Sequence, residues 1–239
     1  MIWVKDQTGR FPTRPHYLPP ELDRECEQLI AGFLKSRYGR VDYPIKTDDL
    51  TVLIESLTEE LDLYSDFCQE EGEVEGITDF TPGRRPKVRI SRLLTENPRM
   101  VNRLRTTLTH ELGHVHLHTF LFEVQQSGSL FGDLSPCRSN KCDRGTILHA
   151  SQTDWMEWQA GYACGAFLMP ATALAEAIRC FLEVHDLCVA RFGVNSPNGQ
   201  ALIQAIATRF GISRDAARVR LSQRGTLLDS ATGVLPLAH

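Results

Sequence analysis

A chain of 239 residues with 42% apolar and 23% charged side chains can bury a large core, and this composition excludes a disordered, collagenous or coiled-coil protein. With 26 basic against 30 acidic residues and a formal charge of −4, it is not built mainly to grip nucleic acid. No apolar stretch approaches the ~20 residues of a membrane span. The first twenty residues carry charges and prolines where a secretory signal would be apolar, and the seven scattered cysteines suit reduced thiols. A cytoplasmic protein without membrane contact is expected.

Residues 1–20 hold Pro12, Pro15, Pro19 and Pro20 and read as an irregular lead-in. Cys26, Leu29, Ile30, Phe33 and Leu34 then recur at helical spacing over 21–37. A second helix is expected over 47–60, capped by Thr47 and striped by Leu50, Leu53, Ile54 and Leu57. Nine acids and no base lie between Glu55 and Glu75, whereas Arg84 to Arg105 holds eight bases and one acid. The plain reading of this segregation is two solvated faces that partly neutralise each other; the alternative is a basic rim for an acidic partner. Residues 76–80 and 86–90 alternate around Thr81-Pro82-Gly83, which predicts an antiparallel hairpin.

Asn97-Pro98 opens a helix whose stripe runs Val101, Leu104, Leu108, Leu112, Val115. A long connection over 122–152 leads to a helix from about Asp154 to Leu168 that stops at Pro170. Two further helical patterns lie near 171–187 and 198–208. The fold expected is α+β and mostly helical, with a short antiparallel sheet. Its segments are an N-terminal extension and helix (1–44), a central domain (45–195), and a C-terminal helical segment and tail (196–239).

His110-Glu111-Leu112-Gly113-His114 carries the chemistry. Two histidines four apart lie on one face of a helix, so both imidazoles can reach one metal ion. Glu111 follows the first of them, where a carboxylate can take a proton from water made acidic by zinc. A catalytic zinc takes three protein ligands and leaves a fourth position open. His118 is four residues beyond His114 but rotated further around the helix, and no third histidine stands at the metzincin spacing, where Phe120 is found. The third ligand is therefore sought on another element. Glu157 is followed at three, four and seven residues by Ala160, Gly161 and Cys164, a small face that lets another helix come close. Asp154-x-x-Glu157 also matches a capping box, in which the glutamate only bonds back to the helix start. His149 is the remaining candidate.

His110-Glu-Leu-Gly-His114 followed by Glu157-Trp-Gln-Ala-Gly-Tyr-Ala-Cys-Gly-Ala-Phe-Leu-Met-Pro170 resembles the ImmA/IrrE family of zinc metallopeptidases. The resemblance takes in residues 45–225. It implies a small, gluzincin-like (zincin-like) metallopeptidase fold, with His110, His114 and Glu157 as zinc ligands and Glu111 as general base. Family members cleave helix-turn-helix repressors of mobile elements or stress genes, or release them from DNA. Where relatives often carry Asn or Asp four residues after the ligand glutamate, this chain has Gly161, so an orienter for one histidine must come from elsewhere.

The expected function is thus a cytoplasmic zinc endopeptidase acting on a protein substrate, a helix-turn-helix repressor, with Tyr162 and His149 as candidate transition-state donors. The alternative is a non-cleaving, zinc-containing DNA-binding regulator or an antitoxin-type interaction protein. Residues 207–221 have the register of a helix-turn-helix, and from 201 to 239 five arginines face two aspartates; the resemblance implies packed helices there instead of a DNA reader. Cys137 and Cys142 are too widely spaced for a Cys-x-x-Cys knuckle and read as loop thiols.

Overall fold

A computed structural model describes residues 1–70, 73–127, 138–143, 154–189 and 191–228, with the backbone alone for 123–127 and 138–143. The lead-in is a hairpin and not irregular: β1 (Ile2–Lys5) pairs antiparallel with β2 (Thr13–His16). The turn between them is tied by Asp6, whose carboxylate accepts from the Thr8 amide and hydroxyl and from the Phe11 amide. Helix α1 (Pro19–Tyr38) starts on two prolines that give up no needed donor, and ends where Gly39 takes a left-handed φ of 72°. Leu22, Cys26, Ile30 and Leu34 form its buried face.

Helix α2 (Thr47–Leu57) is shorter than expected, and Thr47 does not cap it; Lys46 holds that position without a side-chain bond. At Thr58 the backbone becomes extended and leads into β3 (Glu60–Ser65). Leu61 and Leu63 alternate with polar residues there and pack against the core, a period of two inside the acidic run. β4 (Val74–Phe80) and β5 (Lys87–Ser91) form the expected hairpin, with Gly76 opposite Ile90 and Asp79 opposite Lys87. β3 runs parallel to β5, and β6 (Arg138–Asp143) flanks the other side of β4, giving the order β3-β5-β4-β6. The two charge runs meet at this sheet: Lys87 pairs with Glu60, Arg84 with Glu59 and Arg92 with Asp66.

A short helix α3 (Arg92–Thr95) and a 3-10 turn (Pro98–Met100), capped by Asn97, precede the long helix α4 (Val101–Ser127). One side of α4 lies on β4 and the other on α5 (Trp155–Leu168). Covered on both sides, it buries Thr106 to Val115 without a break and loses the one-sided stripe of a surface helix. Val101, at the head of the expected stripe, is exposed.

Helices α6 (Ala171–Val184), α7 (Pro197–Phe210) and α8 (Arg214–Gln223) complete the chain, with Gly211 at a φ of 60° between α7 and α8. Two-residue strands β7 (Phe192–Gly193) and β8 (Leu227–Leu228) pair in parallel. The large apolar cluster runs from Tyr17 to Leu227 and so draws on all three segments expected from the sequence. The described architecture is α+β and mostly helical, with small sheets. Among the described residues, no single helix is long and apolar enough to cross a membrane.

Candidate metal centre

Helix α4 presents His110 and His114 one turn apart, and both are fully buried. Helix α5 crosses them closely, because Gly113 meets Ala160: an added Cβ at Gly113 would stand 2.9 Å from Ala160 Cα and 3.1 Å from its carbonyl oxygen. One turn away on each helix, Thr109 donates to Cys164 Sγ at 3.3 Å. The small residues after Glu157 therefore form the crossing, as their spacing suggested.

The crossing brings Glu157 onto the histidines. Its Oε2 lies 3.1 Å from His110 Nε2, its Oε1 lies 3.1 Å from His114 Nε2, and the two Nε2 atoms are 3.1 Å apart. An imidazole nitrogen carries one hydrogen or one lone pair, pointing in one direction, so neither Nε2 can bond both of its neighbours at once. One cation at their centre satisfies all three. Tetrahedral bonds of about 2.0–2.1 Å to zinc place ligand atoms ~3.3 Å apart, close to the spacing found. The group His110, His114 and Glu157 thus fits a metal ion. Burial works to raise the Glu157 carboxyl, yet the imidazoles of His114 and His110 hold it well below the usual carboxylate range.

Glu111 points to the sheet side of α4 and not into the ligand triangle. Its Oε2 accepts from Thr78 Oγ1 at 2.5 Å, while Oε1 is buried without a partner among the described residues. Gly76 makes room for it, since a Cβ there would lie 2.5 Å from Glu111 Oε1. Burial pushes the Glu111 carboxyl up, a tendency that His114, His110 and Thr78 oppose. One turn earlier on α4, Thr107 donates to Glu75 at 3.1 Å and Arg103 pairs with the same carboxylate, which fixes β4 against the helix.

The other sequence candidates fall elsewhere. Tyr162 does not join the cluster: its hydroxyl donates to Asp23 Oδ1 at 3.1 Å on α1, and the Arg220 guanidinium lies 5.3 Å over its ring. His149 and Cys137 lie outside the described residues, and of Cys142 only the backbone is described, opposite Gly76. His118, weighed only as a ligand, instead contacts His114 Nδ1 at 3.2 Å and Gln159 Oε1 at 3.1 Å. Its spacing of four from His114 was the available signal. Thr78, Gly76 and Gln159 had none, because each meets the site through tertiary contact.

All five C-terminal arginines are engaged within the chain. Arg220 is fully buried and pairs with Asp23, as does Arg224. Arg209 donates to the Tyr43 carbonyl, Arg214 to Gln200 and Gln204, and Arg218 faces Asp215.

No protein-family model matches this chain, and no curated protein matches it significantly.

Proposed function

We propose that this chain is a zinc-dependent endopeptidase, similar to the ImmA/IrrE family, that hydrolyses a peptide bond in a helix-turn-helix repressor. The observation that carries the reading is the convergence of His110, His114 and Glu157 with a buried Glu111 beside them, one of whose oxygens has no partner among the described residues. Zinc, when bound, supplies a Lewis acid that polarises a carbonyl and makes water acidic near neutral pH. The chain's own residues would supply the rest. His110, His114 and Glu157 would hold the ion. Glu111, pinned at Oε2 by Thr78, keeps Oε1 for the reaction; it takes the proton of the attacking water and returns it to the leaving amine. Its raised pKa suits a group that must hold a proton and then release it. A purely structural zinc site has no use for a carboxylate kept unpartnered next to its ligands, which speaks against the non-cleaving alternative. The substrate class rests on the family resemblance alone.

The test is to purify the chain, measure its zinc, and incubate it with a small helix-turn-helix protein encoded beside it. About one zinc per chain and a discrete cleavage product are expected. Glu111→Gln should retain zinc and lose cleavage, because an amide cannot take the proton. Absence of zinc uptake, or full cleavage by Glu111→Gln, overturns the reading.

A further inference from the structure

Behind His114 lies a chain of hydrogen bonds whose direction is fixed at one end. The Pro15 carbonyl of β2 accepts from Gln159 Nε2 at 3.0 Å. A backbone carbonyl only accepts, so the amide nitrogen must face it and Gln159 Oε1 must face the other way. That oxygen lies 3.1 Å from His118 Nε2, which therefore carries a hydrogen. His118 is fully buried, has His114 and Gln159 as its hydrogen-bond partners among the described residues, and packs edge-on against the Trp155 ring. Two Nδ1 atoms 3.2 Å apart hold one hydrogen between them, and His118 already gives its own to Gln159 through Nε2. Its Nδ1 is then an acceptor. The 3.2 Å contact to His114 Nδ1 makes His114 the donor there, and the lone pair of His114 is left on Nε2, the atom facing His110 and Glu157.

We infer that His118 and Gln159 are positioning residues of the metal centre, which, anchored on the Pro15 carbonyl, hold His114 in the tautomer whose Nε2 coordinates. The inference rests on the proposed metal site. It supplies the orienter that Gly161 cannot, and it makes the N-terminal hairpin part of the centre. A separate contact ties the same hairpin to the ligand glutamate's helix: Arg10 reaches both oxygens of Asp154, the N-cap of α5. Phe11 packs against Trp155 in the next position of that helix.

The direct test reads the tautomers in the full-length, zinc-loaded chain by long-range nitrogen–proton NMR of labelled histidines. Nε2–H and a bare Nδ1 at His118 are expected; Nδ1–H at His118 overturns the inference, and no variant is needed. The second arm is Gln159→Leu, which keeps the volume and removes both hydrogen bonds. Its zinc affinity, by competition with a chelator, should fall ~10–100-fold, and part of His118 should move to the Nδ1–H form. A merely structural Gln159 would leave that tautomer unmoved. The two failures are distinguishable: a wild type that takes up no zinc defeats the metal reading, whereas tight zinc binding that is equal in wild type and Gln159→Leu defeats the relay alone.

Discussion

Gly113→Ala puts one methyl group into the crossing on which the metal centre depends. The new Cβ would stand 2.9 Å from Ala160 Cα, 3.1 Å from its carbonyl and 3.3 Å from its Cβ, against ordinary contact beginning at 3.4 Å. The obstacle is backbone, so no side chain can swing aside, and α4 and α5 must part by roughly half an ångström. Metal ligation tolerates errors of only about 0.2 Å. Since His110 and His114 ride on one helix and Glu157 on the other, the separation acts directly on the two 3.1 Å contacts between them. Overpacking costs about 1–3 kcal/mol, while alanine in place of glycine returns about 1 kcal/mol of helix propensity. The metal-free protein should therefore lose no more than about 2 kcal/mol, whereas zinc affinity should fall by more than about tenfold. Chelator competition and thermal melts with and without zinc separate the two effects. A variant of unchanged zinc affinity that is also about 1 kcal/mol more stable would refute the close crossing, because alanine would then have met open space.

Three further outcomes follow from the described contacts. Asp23→Ala should cost about 3–5 kcal/mol by denaturant titration, because it strands the fully buried Arg220 without its anion; a loss below about 1 kcal/mol would mean that this charge finds water. Asp6 titrates below its ordinary range: burial raises its pKa, but the Thr8 and Phe11 hydrogen bonds outweigh it. Its contribution is present above the unfolded pKa of about 3.9 and lost as pH falls through the lower folded value, so metal-free Asp6→Asn should be less stable near pH 7 and lose less on acidification than wild type; parallel stability–pH curves would contradict this. Chelation of a zinc-loaded sample should lower the thermal midpoint, since the ion joins α4 to α5; a midpoint indifferent to chelator removes the link between metal and fold.

The parts of this fold that could be read from the sequence are those whose signals are local. The Asn97-Pro98 start and the stop before Pro170 depend on neighbours in the chain, and the structure places them as expected. β3 carries no sequence signal of its own, because Leu61 and Leu63 alternate over too short a span, and its identity comes from parallel pairing with β5, more than twenty residues away. The N-terminal hairpin has no alternation to show. Phe11 against Trp155 and Arg10 on Asp154 hold it, both contacts across more than 140 residues. Tyr162 was misplaced because α5 is apolar nearly all round, which hides its faces. Five residues beyond Glu157 at 3.6 per turn, it stands about 140° around the helix from the ligand. His118 was visible by spacing, but spacing cannot say that its partner on the far side is a glutamine of another helix.

Glu157 is the residue for which sequence admitted two readings, and the structure separates their halves. Asp154 does cap α5, with its Oδ1 accepting from Met156 N at 3.2 Å and Glu157 N at 3.4 Å. The reciprocal half of a capping box, the glutamate returning to the N-cap amide, is replaced by the two 3.1 Å contacts to His110 and His114. Glutamine is the discriminating substitute, since a capping box accepts Glu or Gln alike whereas a metal loses an anionic ligand. Glu157→Gln should thus keep helix α5 and the metal-free stability, and weaken zinc binding by more than about tenfold. Asp154→Ala should do the reverse: about 1 kcal/mol of lost stability from the cap, with zinc affinity changed far less. Arg10 loses its carboxylate partner in that variant, so the hairpin should loosen first, before the ligand triangle. Glu157→Gln with wild-type zinc affinity would remove Glu157 from the ligand set and leave its carboxylate as a hydrogen-bond acceptor for protonated imidazole.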